Sequence, residues 1–162
     1  MRNRTTYAVG ALIIPDGRVI LSVEGDTKFK YSMISGLSVE TFIPEIERDV
    51  KSELVLITEA KNTLGVDLKQ EPSISKIAEA EVTIKTSNNF KRDLKLYVYK
   101  ISSLYTFNVK AGRDHSIMFL SIGQIAKQAL NDSLNLSFCA KHMLKYLCSC
   151  KNFKNFTGNL KH

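Results

Sequence analysis

The chain has 162 residues, a formal net charge of +7, and 44% hydrophobic and 24% charged residues. That length suits one domain and buries a core without disulfide or metal staples. No apolar run approaches the ~20 residues a membrane helix needs, which argues against a spanning protein.

The basic balance favours polyanionic partners such as nucleotides, RNA or an anionic surface; the plainer reading is a solvated basic face. Part of the excess is local, because Lys141, Lys145, Lys151, Lys154 and Lys161 all lie near the C-terminus. The first residues are basic and then apolar, as in a signal peptide. But the apolar stretch Tyr7–Pro15 runs into the turn signal Pro15-Asp16-Gly17 without a small-residue cleavage site. A cytoplasmic location is the expectation. Cys139, Cys148 and Cys150 are odd in number and confined to one segment, so reduced thiols fit better than a disulfide framework. Cys148 and Cys150 with His142 lack the second ligand pair of a zinc site.

Thr5–Ile14 reads as a strand, Pro15-Asp16-Gly17 as a turn and Arg18–Val23 as the second arm of a hairpin. A polar loop over Glu24–Lys30 leads to a short strand around Gly36, in Tyr31–Val39. A helix is expected over Pro44–Leu64. Proline suits the first helical turn, Thr41 is a candidate cap, and Glu45 and Glu47 suit the positive end of the dipole. Ile46, Val50, Leu54, Ile57 and Leu64 recur at helical spacing, and Gly65 ends the run. The apolar stretch Leu54–Ile57 suggests burial on more than one side.

Ser73–Thr86 and Leu94–Ile101 alternate as strands on either side of the turn residues Ser87-Asn88-Asn89. Further strands are expected at Phe107–Lys110 and Ser116–Ile122, and helices at Ile125–Leu130 and Leu136–Cys150. One domain over residues 1–150 and a polar, fraying tail over 151–162 result. The order predicts an α+β fold with a mixed sheet and helices on its faces.

Residues Glu53–Val66, ELVLITEAKNTLGV, resemble the closing part of the Nudix box. There an arginine and a glutamate precede an aliphatic residue, paired glutamates and a glycine. Thr58 stands at the arginine, Glu59 at the following glutamate, and Asn62 and Thr63 at the paired glutamates. YAVGALIIPDGRVILSVEG resembles the first hairpin of the family. SGLSVE resembles its glycine-containing loop, with Gly36 at a glycine and Glu40 near the loop glutamate, and RDHSIMFLSIGQIAKQ resembles the late strand and helix.

The resemblance covers about residues 5–147 and implies an α/β/α sandwich with a mixed central sheet. It also implies hydrolysis of a nucleoside diphosphate linked to another group, with Mg²⁺ held by helix carboxylates. The departures remove part of what that activity needs. The stretch from Gly36 to Gly65 is several residues longer than the box, and the paired glutamates are gone. Glu59 remains as candidate metal ligand and catalytic carboxylate, with Glu53 as a second ligand. On an unbroken helix Glu53 lies ~120° around the axis from Glu59. Asp49 is also rotated away.

The candidate ligand-binding residues are Gly36, Glu40, Asn62 and Thr63. The expectation is a Nudix-like domain with weak Mg²⁺ binding that takes a nucleotide-type or other phosphorylated ligand and turns it over little or not at all. The rivals are an active divergent hydrolase and a module that binds RNA or protein through the basic C-terminal helix. His115, beside Asp114, is more readily a structural histidine than a base. Oligomeric state is left open.

Overall fold

A computed structural model describes residues 4–24, 34–44, 52–70, 72–86, 89–102, 115–131 and 133–149. Its strands are β1 (Arg4–Ile13), β2 (Arg18–Glu24), β3 (Ile34–Leu37), β4 (Val39–Ile43), β5 (Ile74–Lys85), β6 (Lys91–Ile101) and β7 (His115–Ser121). Its helices are α1 (Ser52–Leu64), α2 (Ile122–Leu130) and α3 (Phe138–Ser149).

The strands form one mixed sheet in the order β3-β2-β1-β6-β5, with β4 also paired to β1 and β7 to β2. β1 and β6 run parallel, with Tyr7 beside Leu94 and Val9 beside Leu96. The remaining ladders are antiparallel. The expected α+β sandwich is the observed architecture. The expected strand at Phe107–Lys110 and the tail over 151–162 lie outside the described residues.

Two apolar layers flank the sheet. On one side Val9, Ala11, Leu21, Leu94, Leu96 and Val98 pack against Ile122 and Ile125 of α2 and Cys139, Ala140, Met143 and Leu147 of α3. On the other, Ala8, Leu12, Ile20, Val39, Ile43, Tyr97 and Tyr99 pack against Leu56, Ala60 and Leu64 of α1. β1 and β6 are therefore buried on both faces, as the central strands of a three-layer sandwich must be. Burial of each large side chain contributes roughly 2 kcal/mol.

The hairpin forms where Pro15, Asp16 and Gly17 turn the chain: Gly17 N–H donates to Ile14 O at 2.9 Å and Ile14 N–H to Arg18 O at 2.9 Å. Beyond it the described ladder joins β1 and β2 at Ile13 and Val19, after which β1 takes β4 as its neighbour. Ser38 sits at this fork. Its Oγ accepts from Leu12 N–H at 2.8 Å and donates to Ile20 O at 2.7 Å. Ser38 is 1% exposed and has φ 67, the left-handed conformation of the corner between β3 and β4. One hydroxyl thus satisfies two buried backbone groups that the parting strands leave without each other.

The main helix differs from expectation in its phase and its surroundings. Its buried stripe is Ser52, Leu56, Ala60 and Leu64, whereas Leu54, expected inside, is 46% exposed. A strict four-residue stripe keeps one narrow face on the sheet. The expected burial on several sides reduces to Val55 and Ile57 packing at the margins. Thr41, the expected cap, lies within β4, and Pro44 is not helical; residues 45–51 lie outside the described residues.

At the other end Gly65 stops the helix as expected. It adopts φ 69, a conformation that costs glycine nothing, and its N–H donates to Lys61 O at 3.1 Å. The close approach of α1 to β1 rests on Gly10, where a Cβ would lie 3.0 Å from Val39 Cγ1 and 3.1 Å from Leu56 Cδ2. Strand β7 ends at Ser121, whose side chain caps α2 in a reciprocal capping box with Gln124, so this helix starts at Ile122 rather than Ile125.

Candidate functional site

The candidate residues divide between the two faces of the sheet. Glu53, Glu59, Asn62 and Thr63 lie on α1. Glu53 faces the edge of the sheet: Lys76 of β5 approaches its carboxylate at 2.8 Å to Oε2 and 3.3 Å to Oε1. Lys76 also reaches Glu79 Oε2 at 3.4 Å and stands 5.7 Å over the Tyr97 ring. The hydrogen bond to Glu53 raises the Lys76 pKa, against a smaller opposing effect of burial. Beneath this pair Ser52 Oγ and Tyr97 Oη lie 3.0 Å apart and tie α1 to β6. Burial raises the Tyr97 pKa and the Ser52 contact opposes it. Tyr99 Oη is buried without a hydrogen-bond partner, and burial raises its pKa further, with Glu53 adding to the effect.

Glu59 is half-buried, one and two-thirds turns along the same helix from Glu53, which places it on another side of the axis. The residues around it turn inward to their own backbone. Thr58 Oγ1 donates to Leu54 O at 3.0 Å and Thr63 Oγ1 to Glu59 O at 2.7 Å. Asn62 is exposed.

Glu40 belongs to the opposite face. Its neighbours Val39 and Ile43 point toward α1, and alternation along β4 sends Glu40 the other way. There its Oε2 accepts from Ser137 Oγ at 2.7 Å. Ser137 Oγ in turn accepts from Ala140 N–H at 3.0 Å and caps α3. Gly36 adjoins this contact: a Cβ at position 36 would lie 3.4 Å from Ser22 Oγ and 3.6 Å from Glu40 Oε2. Gly36 and Glu40 are thus brought together, and Glu40 is separated from the α1 carboxylates by the sheet. Burial, with Glu40 nearby, pushes the Cys139 thiol up to about 12. It is an inert core thiol.

Among the described residues no three His, Cys, Asp or Glu side chains come together as a metal-holding group. Among the described residues the α1 donor set falls short of what a hard divalent cation takes. Such ions need several converging oxygens, and of the two described α1 carboxylates Glu53 is already bonded to an ammonium. Glu45, Glu47 and Asp49 lie outside the described residues, as do the His115 side chain, Asp114 and Cys150. His142 packs at a tilt against Phe138, 4.8 Å between ring centroids, and Arg92 covers the same ring at 4.6 Å. Burial lowers the His142 pKa, and Lys145 and Lys141 lower it further. The sequence reading missed Lys76, Ser137 and Ser38. Each acts through a partner distant in the chain, and no local spacing marks such a pairing.

Comparison with solved structures places the fold. An Ap4A hydrolase from C. elegans superposes with a TM-score of 0.61 at 9% identity, over 96% of this chain and 98% of that one. A Nudix hydrolase from M. smegmatis, RenU, gives 0.58 at 10% identity, over 89% and 82%. The ORF135 protein of E. coli gives 0.57 at 13% identity, over 91% and 93%. No protein-family model matches the chain, and no curated protein matches it in sequence. The chain has a Nudix-hydrolase-like fold. At these identities the likeness speaks for the fold alone, because function lives in the site.

Proposed function

We propose that this Nudix-like domain binds a nucleotide-type or other phosphorylated ligand, holds Mg²⁺ weakly, and hydrolyses the ligand little or not at all. The observation that supports this reading is that the two described α1 carboxylates do not converge: Glu53 sits at the sheet edge, 2.8 Å from Lys76, on another side of the helix from Glu59. A diphosphate brings negative charge that bound cations must neutralise while a water is activated in one geometry. Of the described α1 carboxylates the pairing of Glu53 leaves Glu59, which supplies too few oxygens to fix those cations, and a misplacement of ~1 Å costs on the order of 10²-fold in rate. The net charge of +7 still attracts anions, so binding survives where turnover does not. The Ap4A hydrolase that shares the fold makes dinucleoside polyphosphates a natural first class of ligand to try.

The test is a panel of nucleoside di- and triphosphates, ADP-ribose and dinucleoside polyphosphates with Mg²⁺ and Mn²⁺, run beside Glu59→Gln. The expected result is thermal stabilisation by at least one ligand without efficient turnover. Robust turnover abolished by Glu59→Gln would instead establish a divergent hydrolase. Stabilisation by RNA and by no nucleotide would favour the interaction module, for which Lys141 and Lys145, both exposed on α3, are the supporting residues.

A further inference from the structure

Strand β5 closes one end of the sheet, and among the described residues its strand partner is β6. Among the described residues its other edge is unpaired, so its backbone N–H and C=O groups suit a further strand. The phase of that edge follows from the turn after β5: Thr86 N–H donates to Phe90 O at 2.7 Å, toward β6. Alternation then points the backbone groups of Glu79, Glu81, Thr83 and Lys85 outward. Their side chains are exposed, whereas Ala78, Ala80, Val82 and Ile84 on the other face are half-buried. The register shift between Lys76 and Ala78 ends the regular run on one side.

We propose that β5 pairs antiparallel with β5 of a second copy of this chain, about a two-fold axis through Val82. In that register Glu79 faces Lys85 of the partner and Glu81 faces Thr83, while Ala80 faces Ile84 and Val82 faces itself. Both faces of the strand are complementary at once: opposite charges meet on one side and small and branched apolar residues on the other. The residues with outward backbone groups are also the ones that oppose each other as hydrogen-bonded pairs. Sliding the register one step toward the start of the strand sets Glu81 against Glu81, a like-charge contact. Sliding it toward the end shortens the paired run. The interface is isologous, so each Glu79–Lys85 contact occurs twice.

Sedimentation equilibrium of the full chain tests this, with circular dichroism to confirm that each variant is folded. The expected result is a dimer that Lys85→Glu weakens by about tenfold or more (~1.4 kcal/mol). Glu79→Lys does the same, and the double exchange Glu79→Lys/Lys85→Glu restores association, because each contact is rebuilt with its signs reversed. Val82→Cys, in a background with Cys148 and Cys150 changed to serine, gives a disulfide-linked dimer. The two Val82 Cα atoms form a non-hydrogen-bonded pair about 4.5 Å apart, within disulfide reach. A chain that stays monomeric at high concentration would overturn the proposal. So would a dimer indifferent to both single reversals, or one that Val82→Cys does not lock.

Discussion

The two faces of the sheet use their carboxylates differently. On the α1 side Glu53 is drawn to the sheet edge by Lys76, an ion pair whose members are 33% and 36% exposed. On the α3 side Glu40 accepts from Ser137 and becomes part of the apparatus that starts α3. The first is a surface contact, and such pairs contribute about 0–1 kcal/mol. The second is a part-buried, charge-assisted hydrogen bond, which is stronger. Both leave Glu59 as the described helix carboxylate without an ion pair. Two of the candidate carboxylates, Glu53 and Glu40, thus hold structural contacts, one on each face of the sheet.

The contrast between the two faces depends on the fork that lets β4 carry Glu40 to the α3 side. Ser38→Ala leaves Leu12 N–H and Ile20 O buried without this partner. A destabilisation of about 1–3 kcal/mol is expected in urea unfolding. A change within ~0.5 kcal/mol, the range of an ordinary surface substitution, would mean that the fork does not depend on the hydroxyl. A smaller effect sharpens the α3 side. Ser137→Ala removes both the cap and the bond to Glu40, at an expected cost of about 1 kcal/mol. Added to Glu40→Gln, it should cost less than the sum of the single changes, because the two residues share one hydrogen bond. Strict additivity in a double-mutant cycle would show that Glu40 and Ser137 act independently.

Much of the fold was legible where a local signal decides it. Pro15-Asp16-Gly17 placed the hairpin turn, alternation placed β5 and β6, and Gly65 placed the end of α1. The phase of α1 was not legible. Leu54 and Leu56 are equally apolar, and only packing against Gly10 and the sheet selects Leu56. The small polar Ser52 completes the buried stripe because Tyr97 meets it with a hydroxyl, a partner no helical period reveals. For the candidate site, the resemblance alone sets Asn62 and Thr63 at the positions of the family's paired glutamates. That Glu53 is bonded to Lys76 and Glu40 to Ser137 depends on contacts between residues far apart in the chain, visible once the sheet brings them together.

On the proposed reading, α1 lacks the charge to hold divalent cations. Calorimetric titration of the native protein with Mg²⁺ and with Mn²⁺, in the absence of nucleotide, checks this. Binding no tighter than millimolar is expected, and stronger binding after Asn62→Glu with Thr63→Glu places two carboxylates beside Glu59 at helical spacing. A site in the native protein much tighter than millimolar would contradict it.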